Sequence, residues 1–191
     1  MLHYFAYGAN MAPSVLAKRG VQPISSEAAV VSDRGTWLCF GHRGGYATLV
    51  QRRRREAVAP PPQPAWQQPH GVLHALRAED LQQLAQREVG YCLTHLPVQP
   101  YTHAQPCTAV AFVSSPLLRL YHPAPPRQRY HALLLEGCQH FQLDARYASW
   151  LEELDVSDGR LDAHDACPAD SLAKLLAAGA VAGSAWASAH L

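Results

Sequence analysis

The sequence predicts an α+β domain, a curved mixed sheet or barrel with helices packed outside it. Two observations carry this. Short strand-like runs come first along the chain, and helical patterns concentrate after them. The 191 residues suffice for one domain with a real core, and a composition 48% hydrophobic and 16% charged suits a globular protein.

The elements follow in order. His3–Tyr7 is aromatic-rich and stops at Gly8, which reads as a strand ending in a tight turn. Pro13 suits the first turn of a short helix reaching Lys18. Ala28–Ser32, Trp37–Phe40 and Tyr46–Val50 are expected as strands, the last two joined at Gly44-Gly45. Gln51–Pro69 holds four consecutive arginines and a proline cluster, so it reads as an exposed excursion within the domain. Gly71–Ala75 returns to strand, Glu79–Glu88 to helix, and Tyr91–Val98 and Cys107–Val113 to strand. A proline-rich loop, Pro116–Pro126, leads to a helix over Gln128–Phe141. Asp144 caps a further helix reaching Leu154. Residues 1–155 form the expected domain and 156–191 an extension, helical over Pro168–Ala177 and frayed beyond.

Bulk properties exclude several functions. A formal charge of +1 gives no global field to recruit nucleic acid or an acidic membrane. The five cysteines are scattered with no CxxC pair, which argues against a zinc ribbon or thioredoxin motif and for reduced, mostly buried thiols. The N-terminus lacks a basic start and a long apolar stretch, so it does not read as a signal peptide. The longest uncharged stretch, Leu175–Ala189, is shorter than the roughly 20 apolar residues a membrane span needs. A cytosolic location is the resulting expectation. No HExxH, GxSxG, Walker or GxGxxG pattern occurs, and Asp155–Asp165 has the wrong spacing for an EF-hand. His70 and His74 lie in a strand-like run and need not share a metal-binding face. Arg52–Arg55 lacks the aromatic interleaving of a nucleic-acid surface.

Three features can carry chemistry. On the helix ending at Glu88, Leu81, Leu84 and Ala85 mark the buried face, and Glu88 continues it. Desolvation and the negative helix end would both raise the pKa of that carboxyl group, as proton transfer near neutral pH requires. A terminal glutamate paired with a neighbour such as Arg87 is the plainer alternative. The segment Tyr4-Phe5-Ala6-Tyr7-Gly8-Ala9-Asn10 ends a strand in a turn whose backbone N–H groups can bind an oxyanion, with Asn10 as a side-chain donor. The plainer alternative is an ordinary connection with Gly8 at positive φ. Tyr130 heads an apolar stripe, and its phenol can reach a ligand or a core carbonyl.

Taken together these segments resemble the γ-glutamylcyclotransferase family. Tyr4–Met11 is similar to that family's FxYGSN motif, and Gly44–Thr48 to its Gly-Gly-x-Ala-Thr strand. His70–Leu73 resembles the strand before the catalytic helix, Leu84–Tyr91 the segment bearing the acid–base glutamate, and Arg129-Tyr130 the region of a substrate-contacting tyrosine. The order agrees from Tyr4 to about Leu154. Ala9 stands where serine is usual, and Ala85 where an acidic residue is frequent. The resemblance implies a small mixed β-barrel surrounded by helices. It implies conversion of γ-glutamyl amino acids to 5-oxoproline and a free amino acid, without metal or cofactor, in a homodimer. Glu88 would be the proton-transfer residue, and Tyr4, Phe5, Ala6, Tyr7, Gly8, Ala9, Asn10 and Tyr130 would bind substrate. Asn10 favours γ-glutamyl amino acids over glutathione or γ-glutamyl-lysine. A non-catalytic binding protein on the same fold and an RNA-associated protein using Arg52–Arg55 are the other readings.

Overall fold

The structure, a computed structural model, describes residues 1–51, 65–103, 105–120 and 122–157. The strands are β1 (Leu2–Ala6), β2 (Ser25–Val31), β3 (Thr36–His42), β4 (Tyr46–Gln51), β5 (His70–Leu76), β6 (Tyr91–Pro100) and β7 (Cys107–Ser114). The helices are α1 (Pro13–Lys18), α2 (Ala78–Ala85), α3 (Gln128–His140) and α4 (Ala145–Glu152). The excursion core with Arg52–Arg55, Cys167 and the expected helix Pro168–Ala177 lie outside the described residues.

Five strands close a mixed barrel in the order β1-β5-β2-β6-β7. β5 runs antiparallel to both β1 and β2, and Tyr4 sits opposite Val110 in the parallel β1–β7 pairing that completes the ring. Every residue of β5 is buried, as expected of a strand paired on both sides and covered on both faces. Phe5, Val72, Leu96, Val98 and Ala111 belong to the core, and Leu134, Tyr147 and Leu151 bring α3 and α4 onto it. Burial of these large apolar groups is what holds the helices to the barrel.

β3 and β4 form a separate hairpin. Its turn needs its glycines, since Gly44 and Gly45 have φ of 90° and 72°. The hairpin docks on the end of β7 through polar contacts. Thr48 Oγ1 accepts from the Ser114 N–H at 2.9 Å, and His42 Nδ1 meets Ser114 Oγ at 2.9 Å.

Between β1 and α1 lies a 3-10 turn, Ala9–Met11. α3 fixes it from outside: a Cβ on Gly137 would come within 2.4 Å of Met11 Cβ, so glycine permits the close approach. Glu136 of α3 accepts from the Ser14 N–H and hydroxyl, at 3.1 and 2.8 Å, and so caps the first turn of α1. Asp144 caps α4 as expected, accepting from the amides of Arg146 and Tyr147 at 2.9 and 3.2 Å.

Two expectations are corrected. α2 stops at Ala85, three residues before Glu88, and the chain continues in tightened turns (Arg87 N–H to Leu84 O, Glu88 N–H to Ala85 O). Of the four described cysteines only Cys138 is buried, while Cys39 and Cys107 are half-buried and Cys92 is exposed. Among the described residues, no helix is long and apolar enough to cross a membrane.

Candidate active site

One end of β1, the 3-10 turn, the end of α1, the start of β4, the α2–β6 turn and the start of α3 surround a cavity of about 630 Å3. Tyr4, Tyr7, Gly8, Ala9, Asn10, Glu88 and Tyr130 all line it. The sequence separates Asn10, Glu88 and Tyr130 widely, and the fold brings them together. Phe5 and Ala6 are not among the lining residues. Both are buried in the core, Phe5 wholly so.

Glu88 is largely sheltered, its side chain 16% exposed. Its Oε1 accepts from Asn10 Nδ2 at 3.0 Å and from the Arg19 guanidinium at 2.5 Å. Because α2 has already ended, the helix-dipole argument for Glu88 lapses, and the ion-pair partner is Arg19 rather than Arg87. Arg19 caps the C-terminus of α1, where its carbonyl accepts from Gln83 Nε2 of α2 at 2.5 Å. The backbone contact and the ion pair together clasp α1 to the α2–β6 turn and fix where the carboxylate sits.

Asn10 is buried, and its amide divides its donors between Glu88 and the Tyr4 phenol oxygen, the latter at 2.7 Å. From below, His74 Nε2 lies 3.3 Å from the Asn10 carbonyl, and its Nδ1 lies 2.8 Å from Ser26 Oγ. Burial pushes the wholly enclosed His74 down to about 4, so the ring is neutral and serves as a hydrogen-bonding prop.

Of the five tyrosines that line the cavity, four are held as neutral phenols. Burial, with the charge of Glu88 adding to it, drives Tyr4, Tyr7, Tyr91 and Tyr130 well above the usual 10. Tyr7 donates to the Phe112 carbonyl, and Tyr91 donates to the Ala47 carbonyl at 3.0 Å. Tyr4 and Tyr130 instead accept, Tyr130 from the Ala47 N–H at 3.2 Å. Each of these two phenols retains a proton to donate into the cavity.

Gly8 has φ −124°, extended backbone open to any residue, so the positive-φ alternative is corrected. Glycine stands there because a Cβ would lie 2.9 Å from the Tyr130 hydroxyl. Sequence reasoning missed Arg19 and the cavity roles of His42, Tyr46 and Tyr91. His42 stacks on Tyr91 with ring centroids 4.1 Å apart. No local pattern marks these residues, since tertiary contacts alone bring them to the site. Among the described residues, no three His, Cys, Asp or Glu side chains gather as a metal-ligating group.

The structure is a helix-flanked mixed barrel with a cavity at one end of β1. Among solved structures the chain is similar to a γ-glutamyl cyclotransferase, with TM-score 0.63 and 17% identity over 92% of this chain and 98% of that one. It is similar to an uncharacterized protein from Homo sapiens, with TM-score 0.63 and 19% identity over 86% and 95%. YkqA from Bacillus subtilis is similar at TM-score 0.58 and 19% identity, over 82% of this chain and 56% of that one. No family model and no curated protein sequence matches the chain. The chain has the cyclotransferase-like fold.

Proposed function

We propose that the protein is a γ-glutamyl cyclotransferase that converts γ-glutamyl amino acids to 5-oxoproline and a free amino acid. The observation that carries this reading is a positioned carboxylate, Glu88, in one cavity with the Gly8–Asn10 turn and two proton-donating phenols. The substrate's α-amine attacks its own γ-carbonyl. Glu88 takes a proton from that amine, and the C–N bond that closes the five-membered ring leaves an oxyanion on the former carbonyl. The opening amides of the 3-10 turn and the Tyr130 hydroxyl hold that charge. Collapse of the intermediate breaks the bond to the departing amine, to which Glu88 returns the proton. Nucleophile and electrophile belong to one molecule, so the cavity's main task is to hold the substrate folded. No serine or cysteine nucleophile is required.

A second reading has its own observation. The Arg19–Glu88 pair ties up the carboxylate as a structural ion pair would, which suits a non-catalytic binding protein on this fold. Incubating the purified protein with γ-glutamyl-alanine, glutathione and γ-glutamyl-lysine separates the two. The expected result is 5-oxoproline, fastest from γ-glutamyl-alanine. Tight binding of that dipeptide without 5-oxoproline from any of the three would favour the binding protein.

A further inference from the structure

We infer that Arg127 and Arg129, at the start of α3, with Arg87 from the α2–β6 turn, form an anion subsite that takes a carboxylate carried by the departing amine. The inference rests on the cyclotransferase reading above and names which leaving groups that site prefers. All three arginines line the same cavity as Glu88. The cavity also holds Arg19, and among the described residues that line it Glu88 is the sole carboxylate. Once Arg19 and Glu88 have neutralised one another, three positive charges remain on the wall.

No ion pair among the described residues accounts for them. Among the described residues the ion pairs are Arg19–Glu88 and Arg77–Asp80, so no carboxylate is paired with Arg87, Arg127 or Arg129. Helix stability does not explain them. Arg127 is the N-cap of α3 and Arg129 lies in its first turn, which has no acidic residue, and cations there oppose the helix dipole. Packing does not explain Arg87 and Arg129 either, since both are exposed. Guanidinium groups suit a different task, forked recognition of a carboxylate at a cleft mouth. A γ-glutamyl group brings one carboxylate of its own, fewer than the three cations on offer. A second carboxylate, on the amino acid that leaves, uses the surplus. A plain amine would leave it unmatched, and lysine joined through its side-chain amine would hold its carboxylate four methylene groups farther from the scissile nitrogen, so the subsite selects α-linked amino acids as leaving groups.

The test uses two substrates that differ only in that carboxylate, γ-glutamyl-alanine and γ-glutamyl-ethylamine, with the parent protein and the Arg127→Gln and Arg129→Gln variants. The expected result is a KM about tenfold lower for γ-glutamyl-alanine in the parent, the scale of one charge-assisted hydrogen bond. Each variant should raise the KM for γ-glutamyl-alanine by a larger factor than that for γ-glutamyl-ethylamine, with circular dichroism to show an intact fold. Equal KM values in the parent, or variants that impair both substrates equally, would overturn the subsite while leaving the cyclotransferase reaction standing. If neither compound is turned over, the cyclotransferase reading fails, and calorimetry with the same ligands and proteins decides the subsite. Binding of γ-glutamyl-alanine alone, weakened in the variants, would sustain it. Equal binding of both ligands, or none, would overturn it.

Discussion

At the scale of single residues, the cavity is built by pairs that fix one another, and pairs can be tested as pairs. Gly8 exists for the Tyr130 hydroxyl, which a Cβ would approach to 2.9 Å. Gly8→Ala is expected to displace the phenol and lower kcat/KM about tenfold or more while costing little stability, because the backbone at φ −124° accepts alanine. In a Tyr130→Phe background the same change should cost much less, since the obstructing oxygen is gone. Steady-state kinetics on the four-member cycle measures this, and additive losses would refute the coupling. His74 gives a pH signature. Burial holds the folded ring at about 4 against 6.5 when free, so the unfolded chain binds the extra proton between those values. Stability is then complete above pH 6.5 and falls as pH drops through the window, by up to about 1.4 kcal/mol per pH unit for that one group. His42, also lowered to about 4 by burial, acts in the same window. Denaturant titrations at pH 7 and pH 5 should show the loss, and His74→Gln should reduce it. The same loss in His74→Gln as in the parent would contradict the neutral-prop role. Of these residues, Gly8, Asn10, Glu88 and Tyr130 were legible in the sequence because each sits in a recognisable local motif. Arg19 was not, because its partner lies 69 positions away.

At the scale of elements, the strands and helices were legible from periodicity and turn residues, and their ends were not. β6 extends to Pro100 and β2 begins at Ser25, both beyond their expected bounds, because ladder pairing with neighbours extends strands past their local apolar pattern. α2 is the instructive failure. Ala85-Gln86-Arg87-Glu88 is made of good helix formers, yet the helix ends at Ala85. The last buried residue of its stripe is Leu84, and Glu88 is drawn away to Arg19 and Asn10. Tertiary contacts therefore override propensity at the one position where the carboxylate must face the cavity. The contact of α3 with the 3-10 turn gives an element-level expectation. Gly137→Ala places a methyl group 2.4 Å from Met11 Cβ and should destabilise the fold by about 1–3 kcal/mol, read as a lower denaturant midpoint with unchanged m-value. A stability equal to the parent's would mean that α3 does not bear on the turn.

At the scale of the whole molecule, the barrel was expected as a class, but the ring order β1-β5-β2-β6-β7 and the detached β3–β4 hairpin were not derivable from local pattern. Strand order depends on which distant edges pair, and no residue near the parallel β1–β7 seam announces it. That seam lies on β1, the strand that places Tyr4 at the cavity and leads into Tyr7. Solved structures of the same fold at 17–19% identity show that this architecture persists while most side chains change. Function must therefore be argued from the cavity itself. The most direct test is 5-oxoproline release from γ-glutamyl-alanine by the parent and by Glu88→Gln, with circular dichroism to show that the variant is folded. Turnover by the parent is expected, with a drop of about 10²–10⁴-fold in the folded variant, the scale of lost acid–base catalysis. A folded Glu88→Gln protein that forms 5-oxoproline at the parent's rate would contradict it.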